Sequence, residues 1–307
     1  MADDFFADNI KFIVIIVSYN AGQSLISTYE SLRGQTYTNI ELIIKDGASI
    51  DGSLSVLQDK YAGDEILKNA KIISSKDEGI YDAMNEAISA IPESDLTSDR
   101  ECSFVYFLNC GDSFADSEVL ERVARGISEK FEDDRNNKKA SKDDRTRLTI
   151  FYGDIIDMQT GQHVSSPPVI DDFACYRNVP CHQSAFYDVA LMKNERFDIK
   201  WRVRADYEHF LRCRYIENAD TIYLDTTIAK YEGGGFSETA ENRRISEQER
   251  KKIIAMYLTP DLIIKFDIIR WVTLAPLRTY LASNKSTAGA YNKFRSWLYK
   301  LLKGKKG

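Results

Sequence analysis

Four times in its first third the chain runs apolar and then stops on a polar turn. Lys11 to Val17 (KFIVIIV) ends at Ser18-Tyr19-Asn20, and Ile40 to Ile44 (IELII) ends at Lys45-Asp46-Gly47, continuing through Ala48-Ser49-Ile50-Asp51-Gly52. Lys71 to Ile73 is a shorter run before Asp77, and Phe104 to Leu108 runs into Asn109-Cys110-Gly111-Asp112. Unbroken β-branched and aromatic runs predict strands buried on both faces. Between them the apolar positions recur at helical spacing: Leu25, Tyr29 and Leu32; Leu54, Leu57 and Tyr61; Ile80, Met84, Ala87, Ile88 and Ile91. Strands alternating with helices at this rhythm predict an α/β fold of βαβ units with a mostly parallel central sheet flanked by helices. All the polar punctuation follows strands, so Tyr19-Asn20, Asp46, Asp77 and Asp112 fall on one sheet edge and define one cleft.

Past the fourth strand the pattern loosens. Glu132 to Arg147 carries eleven charges of both signs in sixteen residues and reads as a solvated, flexible loop. Strand character resumes from Leu148 to Ile156, and a turn at Thr160-Gly161 predicts a hairpin. Val203 to Glu208 opens a helix, a strand follows from Thr221 to Ala229, and Gly233-Gly234-Gly235-Phe236-Ser237 is expected to order on a ligand, because consecutive glycines lose much entropy when fixed. From Asn242 the chain turns helical, with apolar faces over Leu262 to Leu274 and Tyr291 to Leu302. This predicts a domain over residues 1–240 and a helical, basic extension over 241–307.

Charge sharpens the division. The net charge is −6, yet from Arg250 onward 13 Lys and Arg face only Asp261 and Asp267. A basic tail on an acidic body predicts an anionic membrane surface as partner for the tail, with packing on its own domain as the alternative, and no nucleic acid. The five cysteines form no CxxC pair and share no metal-like spacing with His163, His182 and His209, which points to a reducing compartment without structural zinc. Acids in Met1 to Asn9 argue against a signal peptide, and polar residues interrupt the longest charge-free run, so a cytoplasmic location is expected.

The candidate chemistry starts at Asp112. A carboxylate held at the end of a rigid strand is set to hold a divalent cation and, through it, a diphosphate; an Asx-type turn capping the next helix is the alternative. The four strand-end motifs, among them Asp77-Glu78-Gly79-Ile80-Tyr81-Asp82-Ala83-Met84-Asn85 and Leu108-Asn109-Cys110-Gly111-Asp112, together resemble the family 2 glycosyltransferases of the GT-A fold. The similarity spans about residues 11–240 and is strongest to the bacterial branch that builds surface polysaccharides and colanic-acid-like polymers.

That resemblance implies an inverting transfer of a sugar from a nucleotide-diphosphate donor, usually a UDP-sugar, with Mg²⁺ or Mn²⁺, to a saccharide or lipid-linked acceptor. It implies that Tyr19, Asn20, Asp46, Asp77, Gly79, Asp82 and Asn85 contact the donor together with Asn109, Gly111 and Asp112, with Asp46 reading the imide N–H of uracil. Many relatives carry DxDD at the fourth strand end, whereas here Asn109 and Gly111 replace two acids. Asp112 is then the metal ligand and the diphosphate supplies most of the rest. The resemblance makes Asp206 the catalytic base, with Glu208 in reserve, although Ala205 stands where relatives place a Glu. His182 and Gln183 fall near the diphosphate or acceptor, while Gly234 and Ser237 belong to a loop over the donor, followed by Arg243 and Arg244. A non-catalytic nucleotide-sugar-binding scaffold is the competing reading, and a Rossmann oxidoreductase is disfavoured because the first strand lacks G-x-G-x-x-G.

Overall fold

The computed structural model describes residues 10–97, 102–136, 148–234 and 239–273. Its first half follows the predicted rhythm. β1 (Ile10–Ser18), β2 (Ile40–Asp46), β3 (Lys71–Ser74) and β4 (Cys102–Phe107) are joined by α1 (Gln23–Arg33), α2 (Ser53–Lys60), α3 (Glu65–Lys68), α4 (Ile80–Ser89) and α5 (Ser94–Thr97). β1 lies between β2 and β4, β3 lies outside β2, and all three pairings are parallel. Phe12, Val14 and Ile16 of β1 are fully buried, as are Ile13 and Ile15. Both faces are therefore covered, which is why the run does not alternate. At about 1.5–3 kcal/mol for each large apolar side chain removed from water, this strand anchors the domain, and Val14→Asp would break it.

The second half is mixed. β5 (Ser113–Phe114), α6 (Val119–Asn136), β6 (Thr149–Asp157), β7 (Gln162–Val164), α7 (Asp172–Arg177), a 3₁₀ turn (His182–Ser184), β8 (Ala185–Asp188), α8 (Val189–Asn194), α9 (Ala205–Tyr215) and β9 (Asp220–Tyr231) follow in order. β8 inserts antiparallel between β4 and β6, and β9 runs parallel to β6. Among the described residues the sheet order is β3-β2-β1-β4-β8-β6-β9-β5, with β7 paired to β6 as the predicted hairpin. The last turn of α6 takes in Glu132–Asn136, part of the segment expected to be a charged loop; the rest of that segment, residues 137–147, lies outside the described residues. Val119, Leu120, Val123, Ala124 and Ile127 bury one face of α6, and its charges stand on the other.

The chain divides into two compact units, Met1–Ile253 and Ile254–Gly307. The boundary between these units falls within α10 (Ala240–Tyr257). In the second unit α11 (Pro260–Val272) starts with Pro260 at its first turn, where a missing N–H costs nothing. Ile264, Ile268, Trp271 and Val272 stand exposed on α11. The Tyr291–Leu302 helix expected from sequence lies outside the described residues. No helix among the described residues is long and apolar enough to cross a membrane.

Candidate functional site

Two clusters form where β1 to β4 end. The first lies at β1, β2 and β3. Asn20 takes a left-handed backbone, φ 46°, which lets its N–H donate to Ser49 Oγ (2.8 Å) while its Oδ1 accepts from the N–H of Ile50 (3.0 Å). Asp46 is buried, accepting from the Ser49 N–H (2.9 Å) and the Ser74 hydroxyl (2.9 Å). The structure thus puts Asp46 inside the turn, with its oxygens turned to protein donors. Tyr19 remains 69% exposed at the rim. A Cβ on Gly47 would come 2.9 Å from Asp77 Oδ2 and 3.0 Å from the Tyr19 ring, so only glycine lets these two side chains close on the turn.

Lys45, which carried no functional signal in the sequence, is fully buried here. Its Nζ donates to Asp77 Oδ2 (2.9 Å) and to the Ser75 (2.7 Å) and Asp46 (3.1 Å) carbonyls, with Glu86 at 3.5 Å. Asp77 Oδ1 accepts from the Gly79 N–H (3.1 Å), and Asp82 accepts from the Glu78 N–H (2.9 Å). Asn85 faces elsewhere. Its amide donates to the Phe197 carbonyl (2.8 Å) and accepts from the Phe197 N–H (3.0 Å), pinning α4 to the segment before α9. These two bonds give Asn85 a structural task.

The second cluster joins β4, the 3₁₀ turn, α9 and the end of β9. Asp112 is 4% exposed; its Oδ2 accepts from Gln183 Nε2 (2.9 Å) and its Oδ1 from the N–H of Glu232 (2.9 Å). Burial holds this carboxyl above its ordinary range, and neighbouring Glu232 adds to the push, against those two donors and His182. Among the described residues no lysine or arginine pairs with it. Gly111 sits at φ 99°, and a Cβ there would lie 1.8 Å from Glu232 Oε2, so the Glu232 carboxylate rests on the glycine itself. Thr28 on α1 fixes this loop, accepting from the Gly111 N–H (3.0 Å) and donating to the Asp112 carbonyl (2.9 Å).

One residue before Gln183, His182 lies between Asn109 and Asp206. Its Nδ1 is 3.1 Å from Asp206 Oδ2 and its Nε2 is 2.8 Å from Asn109 Nδ2. Asp206 Oδ1 also accepts from the Tyr81 hydroxyl (2.9 Å) and from the N–H of Tyr207 (2.8 Å). Burial pushes the Asp206 carboxyl up, but the bond and charge of His182, the Arg204 guanidinium and the Tyr81 hydroxyl outweigh it and hold the group below the usual range. Glu208 is buried, 3% exposed, whereas the Asp206 side chain keeps 26% exposure. Burial pushes the Cys110 and Cys181 thiols up to about 12, so neither offers a thiolate nucleophile.

The donor set suits a hard divalent cation: a buried, unpaired Asp112 carboxylate beside the exposed carboxylate of Glu232. Among the described residues no group of three or more His, Cys, Asp or Glu is arranged to hold a metal ion, so any such ion would draw its remaining ligands from elsewhere. Gly234 lies at φ 70° after Glu232, while Ser237 lies outside the described residues. Arg243 and Arg244 fall in the first turns of α10.

Residues 13–151 match the model for Glycosyl transferase family 2. Proteins of Mycobacterium bovis and Mycobacterium tuberculosis named PGL/p-HBAD biosynthesis glycosyltransferase are 28% identical over 230 residues, covering 74% of this chain and 79% of theirs. S. aureus TarS 1-349 in complex with UDP superposes with a TM-score of 0.56 at 18% identity, over 90% of this chain and 75% of that one; the chain spans 42% of the full TarS chain. The mannosyltransferase PcManGT from Pyrobaculum calidifontis, in complex with GDP-Man and Mn²⁺, gives 0.55 at 14% identity over 94% and 80%. The fold is that of the GT-A glycosyltransferases, a mixed α/β architecture with helices flanking a central sheet.

Proposed function

We propose that this chain is a metal-dependent, inverting glycosyltransferase that moves a sugar from a nucleotide-diphosphate donor, a UDP-sugar, to a saccharide or lipid-linked acceptor. The observation that carries the reading is the meeting of Asp112, Gln183, His182 and Asp206 from three separate elements at one sheet edge. Strand-end loops of a parallel sheet are where ligands bind. Tyr19, Asn20 and Asp77 line the base and ribose side, and Asp112 with Glu232 lines the diphosphate side. Asp112 and Glu232 would hold Mg²⁺ or Mn²⁺, which when bound stabilises charge on the departing diphosphate. TarS in complex with UDP and PcManGT in complex with GDP-Man and Mn²⁺ support, by analogy, a nucleotide-diphosphate donor and a divalent cation.

In this reading the Asp206–His182 pair takes the acceptor hydroxyl's proton as its oxygen attacks the anomeric carbon from the face opposite the diphosphate. Low water access around the buried Asp112 and Gln183 strengthens the electrostatics there. The pathway proposed is surface glycan or glycolipid synthesis, with the basic C-terminal residues and the apolar strip Ile264, Ile268 and Trp271 of α11 supporting contact with an anionic bilayer. UDP-sugars screened with Mg²⁺ and Mn²⁺ for UDP release test the activity, and no release from any donor would sink it. Asp206→Asn should keep UDP affinity within about twofold while lowering turnover about 100-fold or more.

A further inference from the structure

Tyr81, the second residue of α4, reaches across to the segment that opens α9. Its side chain is buried, with its ring centroid 5.5 Å from that of Phe197, and its hydroxyl lies 2.9 Å from both Asp206 Oδ1 and the Val203 carbonyl. The hydroxyl thus has one proton for two acceptors. Burial, and after it the Asp206 charge, hold that proton on the phenol, so at neutral pH the group donates and is not a phenolate. The Val203 carbonyl is itself fixed in place, because Glu249 on α10 accepts from the N–H groups of Arg202 (2.8 Å), Val203 (3.0 Å) and Arg204 (3.0 Å). At its other end α4 begins directly after the Asp77–Gly79 turn on the donor side of the cleft.

We infer that Tyr81 is the positioning residue for Asp206: its hydroxyl holds the ionised carboxylate in place and turns to the Val203 carbonyl while that carboxylate is protonated. This rests on the glycosyltransferase reading above, in which the Asp206–His182 pair takes the acceptor's proton. An ionised oxygen is the stronger acceptor of the two, so before the step the phenol proton points at Asp206 Oδ1. In the step the acceptor's O–H bond breaks toward the pair, its oxygen bonds the anomeric carbon, and the electron pair of the old bond leaves with the diphosphate. With Asp206 neutral, the phenol turns its proton to Val203 and offers its own lone pair to the carboxyl, so neither state strands a buried polar atom. The acceptor's proton then passes to solvent and the phenol turns back, having neither gained nor lost a proton. His182 meets the other oxygen, Oδ2, so the exchange at Oδ1 is the same for either tautomer of its ring. The titratable and charged groups facing Asp206 are His182 on the 3₁₀ turn with Cys181 before it, Arg204 and His209 at α9, Tyr81 on α4 and Tyr187 on β8.

Tyr81→Phe removes the hydroxyl and keeps the ring against Phe197. With the full chain and whichever UDP-sugar it turns over, the variant should keep UDP affinity within about twofold while kcat falls about tenfold or more, the worth of a hydrogen bond to a charged group. The ionised carboxylate loses a donor and holds its proton to higher pH, so the acid limb of kcat/KM should move up by about one pH unit, into the range of ordinary carboxylates near pH 4. A double-variant cycle separates this from general damage to the fold. Because the hydroxyl acts through the carboxylate, adding Tyr81→Phe to Asp206→Asn should cost less than about twofold in single-turnover rate. Equal losses in the two backgrounds, or a variant whose kcat stays within twofold of wild type with an unmoved acid limb, overturn the inference and leave the transferase reading intact. A wild-type chain that releases no UDP from any donor removes both.

Discussion

Two acids face the same cleft from opposite conditions. Asp112, at the end of β4, is buried with a second carboxylate beside it and holds its proton more tightly than an ordinary Asp. Asp206, at the start of α9, has gathered His182, Arg204 and Tyr81 and holds its proton less tightly. Environments that drive two like groups apart mark different tasks. Asp112 has no lysine or arginine partner among the described residues, so a bound cation would supply the missing counter-charge, whereas Asp206 already has His182 and Arg204 beside it.

The widest test of this contrast is a pair of variants. Asp112→Asn and Asp206→Asn should each cost about 100-fold or more in turnover, yet they should part in stability. A raised carboxyl stabilises the fold fully only below its unfolded pKa and loses that contribution as pH rises through the folded value, so at pH 7 removing the Asp112 charge should not lower the urea midpoint in cation-free buffer. A depressed carboxyl contributes above its unfolded pKa and loses this as pH falls, so Asp206→Asn should lose about 1–3 kcal/mol at pH 7. Equal urea shifts in the two variants would erase the distinction.

A smaller effect sharpens the Asp112 side. Gly111→Ala puts a methyl into Glu232 at a positive φ and should cost about 1–3 kcal/mol in urea unfolding, with weaker Mn²⁺ binding in the presence of UDP read by calorimetry. Unchanged Mn²⁺ affinity would remove Glu232 from the cation's surroundings. The smallest effect serves as a control away from the cleft. Asp188, which caps α8 through the Ala190 N–H (2.9 Å), is pushed up to about 6 by burial. Its charge opposes folding increasingly as pH rises from about 4 to 6, and Asp188→Asn keeps the cap. The variant should therefore gain about 1 kcal/mol at pH 7, allowing for the side chain's partial exposure, and nothing at pH 4.

How far the sequence announces all this depends on the range of the forces involved. β1, β2 and β4 are legible because burial on both faces demands a continuous apolar run, and their polar ends locate the cleft. β8 is not. Four residues, Ala185–Asp188, carry too little pattern, and their antiparallel place between β4 and β6 is a long-range choice. The end of α6 reads as loop because Glu132–Asn136 lie past most of its apolar stripe. At the site, Asp112, Gln183, His182 and Asp206 stand in motifs, but the place of His182 between Asn109 and Asp206 emerges only when three elements close on it. Glu232 gave no signal, being a lone acid before glycines. Asp46 and Asn85 look polar and available in the sequence, yet the fold turns one into its own turn and the other onto the Phe197 backbone.

Lys45 has a consequence for motion. Its ammonium is sealed from water and shared among the ends of β2, β3 and α4, so parting those loops would strand a charge in a dry interior. The wall carrying Tyr19 and Asp77 is thus preset before any substrate arrives.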